Sequence, residues 1–82
     1  MTFNAGKEAK TILAKNVKYY RKKAKLSQTA LANICEIELS QISRIELAKV
    51  NATLETIFII ANGLKVLPSQ LLEDLSTPNN MP

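Results

Sequence analysis

Between Leu26 and Glu46 the chain places two short helical patterns end to end, and this layout limits the folds open to it more than any other feature. Ser27 can accept a hydrogen bond from an otherwise unpaired backbone N–H, which makes it an N-cap and Gln28 the first residue of a helix. Leu31, Ala32 and Cys35 follow at helical spacing and form one apolar stripe. Ala32 stands where a second helix must cross closely, and a larger side chain would hold the pair apart. Leu39, Ile42 and Ile45 or Glu46 repeat the pattern, while Ser40, Gln41, Ser43 and Arg44 fill the remaining arc with polar groups. The intervening Glu36-Ile37-Glu38-Leu39-Ser40 alternates as a strand would. No second alternating run exists to pair with it, and a lone strand leaves its backbone groups unsatisfied. Two helices in tandem, the second with a polar outer arc, make a helix-turn-helix unit whose arc can reach base edges and phosphates.

At 82 residues the chain has room for one domain with a small core and a thin margin of stability, which a partner subunit would widen. Its single cysteine, Cys35, excludes an internal disulfide and a cysteine-based zinc site, and the lack of histidine excludes histidine-based acid–base catalysis. Ser27, Ser40 and Ser43 have no histidine to activate them, and there is no glycine-rich phosphate loop. No catalytic residue, metal, cofactor or small-molecule ligand is therefore expected. The longest apolar run, Ile57 to Ala61, falls far short of the roughly 20 residues a membrane span requires, and the N-terminal lysines precede no export-type apolar stretch. A cytoplasmic protein is the simplest expectation. The net charge of +4 conceals an asymmetry: residues 1–25 carry eight positive side chains against Glu8, a balance of +7, while residues 26–82 balance at −3. The basic half suits attraction to phosphate without sequence preference, or equally a solvated lysine-rich helix face.

Leu13, Val17, Tyr20 and Ala24 recur at helical steps and predict a first helix over Thr11 to Ala24, preceded by an arm over residues 1–10. Gln28 to Cys35 forms the second helix and about Leu39 to Leu47 the third. Thr53 caps a fourth, which turns Ile57, Ile60, Ala61 and Leu64 inward and runs to about Asn62, where Asn62-Gly63 offers a stop. Pro68 suits the first turn of a fifth helix carrying Leu71, Leu72 and Leu75, so the domain spans residues 11–75, and residues 76–82 read as a flexible tail. Ile57-Phe58-Ile59-Ile60 is apolar around more of the helix than a core stripe requires. Phe58 and Ile59, with Leu67, Leu71 and Leu75, are read as a dimer patch covered by a second copy; the competing reading is that the fifth helix folds over Phe58 and Ile59 within one subunit.

Laid together, these residues resemble the Cro/phage-repressor type of helix-turn-helix domain, also called XRE-like, over about Leu13 to Leu72. Arg21 matches the arginine near the end of the family's first helix, Leu26-Ser27-Gln28 the start of the second, and Leu31-Ala32 its middle. Ile42-Ser43-Arg44-Ile45-Glu46 fits the recognition helix; Asn51, Leu54, Glu55 and Thr56 fit the loop and the opening of helix 4; Ala61, Leu64 and Val66 fit its end. The resemblance implies an all-α, compact five-helix domain, a homodimer, and a third helix inserted into the major groove of a palindromic site whose halves lie roughly 34 Å apart. It also implies an ion pair between Arg21 and Glu46 that ties helix 1 to helix 3, with a phosphate contact as the alternative role for Arg21. The family often has glycine where this chain has Lys25, Glu36 and Ala48, so these turns are expected to hold side chains at positive φ. Glu38 replaces the usual serine or threonine cap of helix 3: its charge suits a helix N-terminus, and its alternative role is to accept from a cytosine amino group.

The same resemblance assigns the contacts. Ser40, Gln41 and Arg44 are the candidate base readers, since glutamine can pair bidentately with adenine and arginine with guanine. Gln28, which can also brace a side chain of the recognition helix, is a candidate phosphate contact with Ser43, Lys49 and Asn51, and Lys18, Lys22 and Lys25 add electrostatic contacts from helix 1 or simply solvate it. Leu39 is expected to pack inward, the alternative being contact with a thymine methyl. The implied function is a homodimeric transcription regulator that binds double-stranded DNA in its own promoter region, of the restriction-modification controller or phage type. Because the domain fills nearly the whole chain, no attached sensing domain is expected. Glu36, Glu38 and the apolar fourth helix favour an alternative, an antitoxin-like protein-interaction module that has lost DNA reading.

Overall fold

Alanine, lysine and glutamate, all good helix formers, make up residues 5–10 apart from Gly6, and in the computed structural model, which describes residues 5–74, the first helix α1 (Ala5–Lys23) includes them rather than beginning at Thr11. These early turns stand largely in solvent, so they carry no apolar stripe for a periodicity argument to detect. Further along, α1 buries Leu13, Ala14, Asn16, Val17 and Arg21. Ala24, expected on that stripe, lies beyond the helix end and is exposed, and the buried polar Arg21 closes the stripe instead.

The remaining helices are α2 (Gln28–Cys35), α3 (Leu39–Glu46), α4 (Leu54–Leu64) and α5 (Pro68–Leu72), and no strand occurs among the described residues. Ser27 Oγ accepts from the Ala30 N–H at 3.0 Å, and Thr53 Oγ1 accepts from the Thr56 N–H at 3.1 Å, as their positions predict. Glu38 occupies the N-cap of α3 without a side-chain hydrogen bond. Its charge beside the free N–H groups is the remaining stabilisation at that end.

Side chains do sit at positive φ at Lys25 (61°), Glu36 (57°) and Ala48 (59°), and a fourth does at Lys65 (62°). In all four turns the following N–H returns to a carbonyl five residues back: Leu26 to Arg21, Ile37 to Ala32, Lys49 to Arg44 and Val66 to Ala61, at 3.0–3.1 Å. Each left-handed side chain costs about 1–2 kcal/mol, which these bonds and the packing of the flanking helices offset.

Gly63 corrects the expected end of α4, because the helix runs through Asn62-Gly63 and stops at Leu64. The glycine is there for closeness: a Cβ at this position would lie 2.6 Å from Cys35 Sγ on α2. Gly63→Ala, which in an open helix would gain about 1 kcal/mol, is therefore expected to destabilise by about 1–2 kcal/mol. Adding Cys35→Ala should restore most of that stability in a urea titration, since it removes the sulfur that the new methyl meets.

Val17, Leu31, Ile42, Ile45, Ile60 and Leu71 are the largest fully buried side chains. α1 packs on α3 and α5, and α2 packs on α3 and α4. Leu71 is 0% exposed, which removes it from the dimer patch: the short α5 lies against both α1 and α4 and drives this side chain into their shared core. Asn16 secures that arrangement, donating through Nδ2 to the Leu71 carbonyl at 2.8 Å and the Glu73 carbonyl at 2.7 Å. Leu75, also assigned to the patch, lies outside the described residues.

Candidate nucleic-acid interface

The orientation of α3 is set by an ion pair at its C-terminal end. Arg21 donates from Nε to Glu46 Oε2 at 2.6 Å and from Nη2 to Oε1 at 3.0 Å, and the side chains are 11% and 1% exposed. Its Nη1 donates to the Leu26 carbonyl at 2.8 Å, so one guanidinium joins α1, the α1–α2 turn and α3. Donating to the Glu46 carboxylate pushes the Arg21 pKa up against the opposing effect of burial, so the guanidinium stays charged. Gln28 completes the group, its Nε2 donating to Glu46 Oε1 at 2.9 Å. Arg21 thus has the structural role, and Gln28 braces the pair from the head of α2.

With Ile42, Ile45 and Glu46 turned inward, the opposite arc of α3 is left outside. Ser40 and Arg44 are exposed, Gln41 and Ser43 half-buried. Ser40, Gln41 and Arg44 line a groove with Val50, Asn51 and Thr53 of the α3–α4 connection. Gln41 leans toward α4, its Nε2 3.5 Å from Thr56 Oγ1. Lys49 and Asn51 are exposed on that connection, and Lys25 is exposed in the turn before α2. Lys18 and Lys22 line a groove between α1 and the end of α3, together with Leu47 and Ala48, that Arg44 does not line. Leu39 is exposed rather than packed inward, because it is the first residue of α3 and the core stripe begins at Ile42.

The apolar residues of α4 divide. Phe58 is 54% exposed and Leu67 65%, whereas Ile59 is half-buried against the core. α5 does not cover Phe58. A groove beside it is lined by Ile34, Cys35 and Asn62, and Ile34, 52% exposed, is a surface apolar residue that the sequence reading missed. The signal was present: Ile34 falls off the Leu31-Ala32-Cys35 stripe, on the outer arc of α2. Cys35 is itself buried, and burial pushes its thiol pKa up, away from the reactive thiolate.

Residues 17–71 match the HTH_3 family model, described as helix-turn-helix, and this segment includes α2, α3 and the groove residues described above. The chain belongs to the XRE-type helix-turn-helix family. This is a family of DNA-binding transcription regulators. Control protein C.SmaI of Serratia marcescens is 38% identical to the family member described here over 65 residues, 79% of this chain and 77% of that protein. The fold of this chain is shared by a hypothetical transcription factor, NHTF, from Neisseria, with a TM-score of 0.82 at 26% identity, covering 93% of this chain and 87% of that one. An HTH_3 family transcriptional regulator from Vibrio cholerae gives a TM-score of 0.78 at 27% identity, over 80% of this chain and 37% of that one. No helix among the described residues is long and apolar enough to cross a membrane.

Proposed function

We propose that this helix-turn-helix protein is a homodimeric, sequence-specific regulator of the controller type, reading a palindromic operator near its own promoter. The observation that carries this reading is the exposed Ser40–Arg44 arc of α3, held in one orientation by the buried Arg21–Glu46 pair. Arg44 reads a guanine and Ser40 a neighbouring base edge; Gln41 reaches a base by exchanging its long bond to Thr56 for one to DNA. The exposed Leu39 meets a thymine methyl at the head of the same helix. Ser43, Lys49 and Asn51 hold the backbone on one side and Gln28 and Lys25 on the other, with Lys18 and Lys22 beside α1. Similarity to a control protein supports the controller assignment. Phe58 and Leu67, with Ile59 at their edge, form the self-association surface, which brings two α3 helices to half-sites about 34 Å apart.

Selection of bound duplexes from a random pool, followed by sequencing, tests the reading, with sedimentation of the free protein and of the complex. An inverted repeat bound by two copies is expected. The exposed Glu36, Glu38, Ile34 and Phe58 favour one competing reading, a protein-interaction module without DNA affinity. Absence of any salt-sensitive binding to mixed-sequence duplex at low ionic strength would select that module over the regulator.

A further inference from the structure

We infer that a second stretch of DNA backbone, beyond the part reached by α3, runs along α1, with Lys10 and Lys15 holding its phosphates. The inference rests on the DNA-binding reading above. Two grooves flank α1 beside the C-terminal end of α3. One carries Lys15, Lys18 and Lys22 along its α1 wall; the other carries Lys7 and Lys10 near Asn51. Thr11 and Ala48 line both, so the two grooves form one trough along the helix. Asn51 also lines the groove of Ser40, Gln41 and Arg44, so one side chain borders both the trough and the base-reading groove.

Charge identifies the occupant. Glu46 is the carboxylate that lines the trough, and Arg21 already neutralises it at 2.6 Å. Lys15, Lys18 and Lys22 succeed one another at three- and four-residue steps, a spacing at which like charges repel within a helix. A polyanion laid beside them relieves that repulsion. Lys10 and Lys22 lie about 18 Å apart along the axis at 1.5 Å per residue, a length over which one strand of a duplex carries about five phosphates. An acidic protein segment would meet the same charges, but continuity with the reading arc favours the flank of the duplex that α3 already holds.

The test uses the full chain and two labelled duplexes of selected sequence, one trimmed to the α3 footprint and one with flanks on both sides. Binding is followed by fluorescence anisotropy over a salt series. On the long duplex, Lys10→Gln and Lys15→Gln should each lower the slope of log K against log salt by about 0.9 for every phosphate no longer neutralised, while affinity for the short duplex stays as in the parent. Lys10→Arg and Lys15→Arg, which keep the charge, should keep the parent slope, and circular dichroism should show parental helicity in all four variants. Equal weakening on both duplexes would overturn the inference, because the lysines would then act as a diffuse field. An unchanged slope on the long duplex would also overturn it, and weakened binding of polyglutamate by the same variants would then assign the trough to an acidic protein. A parent that binds no duplex at all would refute the proposed function itself, a result distinct from a parent that binds its operator and ignores the flanks.

Discussion

Arg21→Ala is expected to cost about 3–5 kcal/mol of folding stability, most of what a domain of this size possesses. The effect is large because Glu46 stays behind: its side chain is 1% exposed, and without Arg21 its carboxylate keeps, among the described residues, the bond from Gln28 at 2.9 Å. The Leu26 carbonyl loses its partner at the same time. The charge stranded in the core, rather than the missing attraction, dominates the cost. Replacing both partners with apolar groups, as Arg21→Met with Glu46→Leu, should therefore recover much of the stability that the single substitution removes. Urea denaturation of the parent, the single and the double variant measures this directly. A single-variant effect under about 1 kcal/mol would place the pair with exposed salt bridges and remove it as the brace of α3.

Arg44→Ala is expected to change which duplexes the protein prefers while leaving helicity and self-association as they are. Arg44 is exposed on the outer arc of α3, so its removal opens no cavity. Removing a bidentate pairing with a base amounts to about 1–3 kcal/mol of discrimination, or roughly 5- to 150-fold in relative affinity at one position of the site. Gln41→Ala should act in the same direction and less strongly, since that side chain is half-buried and leans on Thr56. Lys49→Gln provides the contrast: weaker phosphate binding affects all sequences alike and lowers the salt slope by about 0.9. Competition binding against a panel of single-base operator variants separates these outcomes. Binding of every variant by Arg44→Ala as by the parent would remove Arg44 from the base-reading set.

Residues that act within one or two helical turns were legible before the fold was known. Ser27 and Thr53 cap as their positions require, because the group each one satisfies lies three residues away. Lys25, Glu36 and Ala48 adopt positive φ at positions where the resembled family often carries glycine. The exposed first turns of α1 left no apolar stripe, and two further positions, Gly63 and Leu39, depend on a second element. Gly63 looked like a helix stop when read against its neighbours, and it is a point of close approach once Cys35 is opposite. Leu39, at the very start of its helix, has core-like chemistry and no core to enter.

Periodicity and capping are properties of a few consecutive residues, so the sequence already contains helices α2 to α5, the caps Ser27 and Thr53, and the polar arc between Ser40 and Arg44. The tertiary structure alone decided which surplus apolar groups are covered. Leu71 and Phe58 are equally apolar in the sequence, yet one is in the core and the other in solvent. That division depends on interactions such as Asn16 with the Leu71 carbonyl, across 55 residues of chain. Helical spacing records which side chains share a face; coverage of that face depends on where distant helices come to rest.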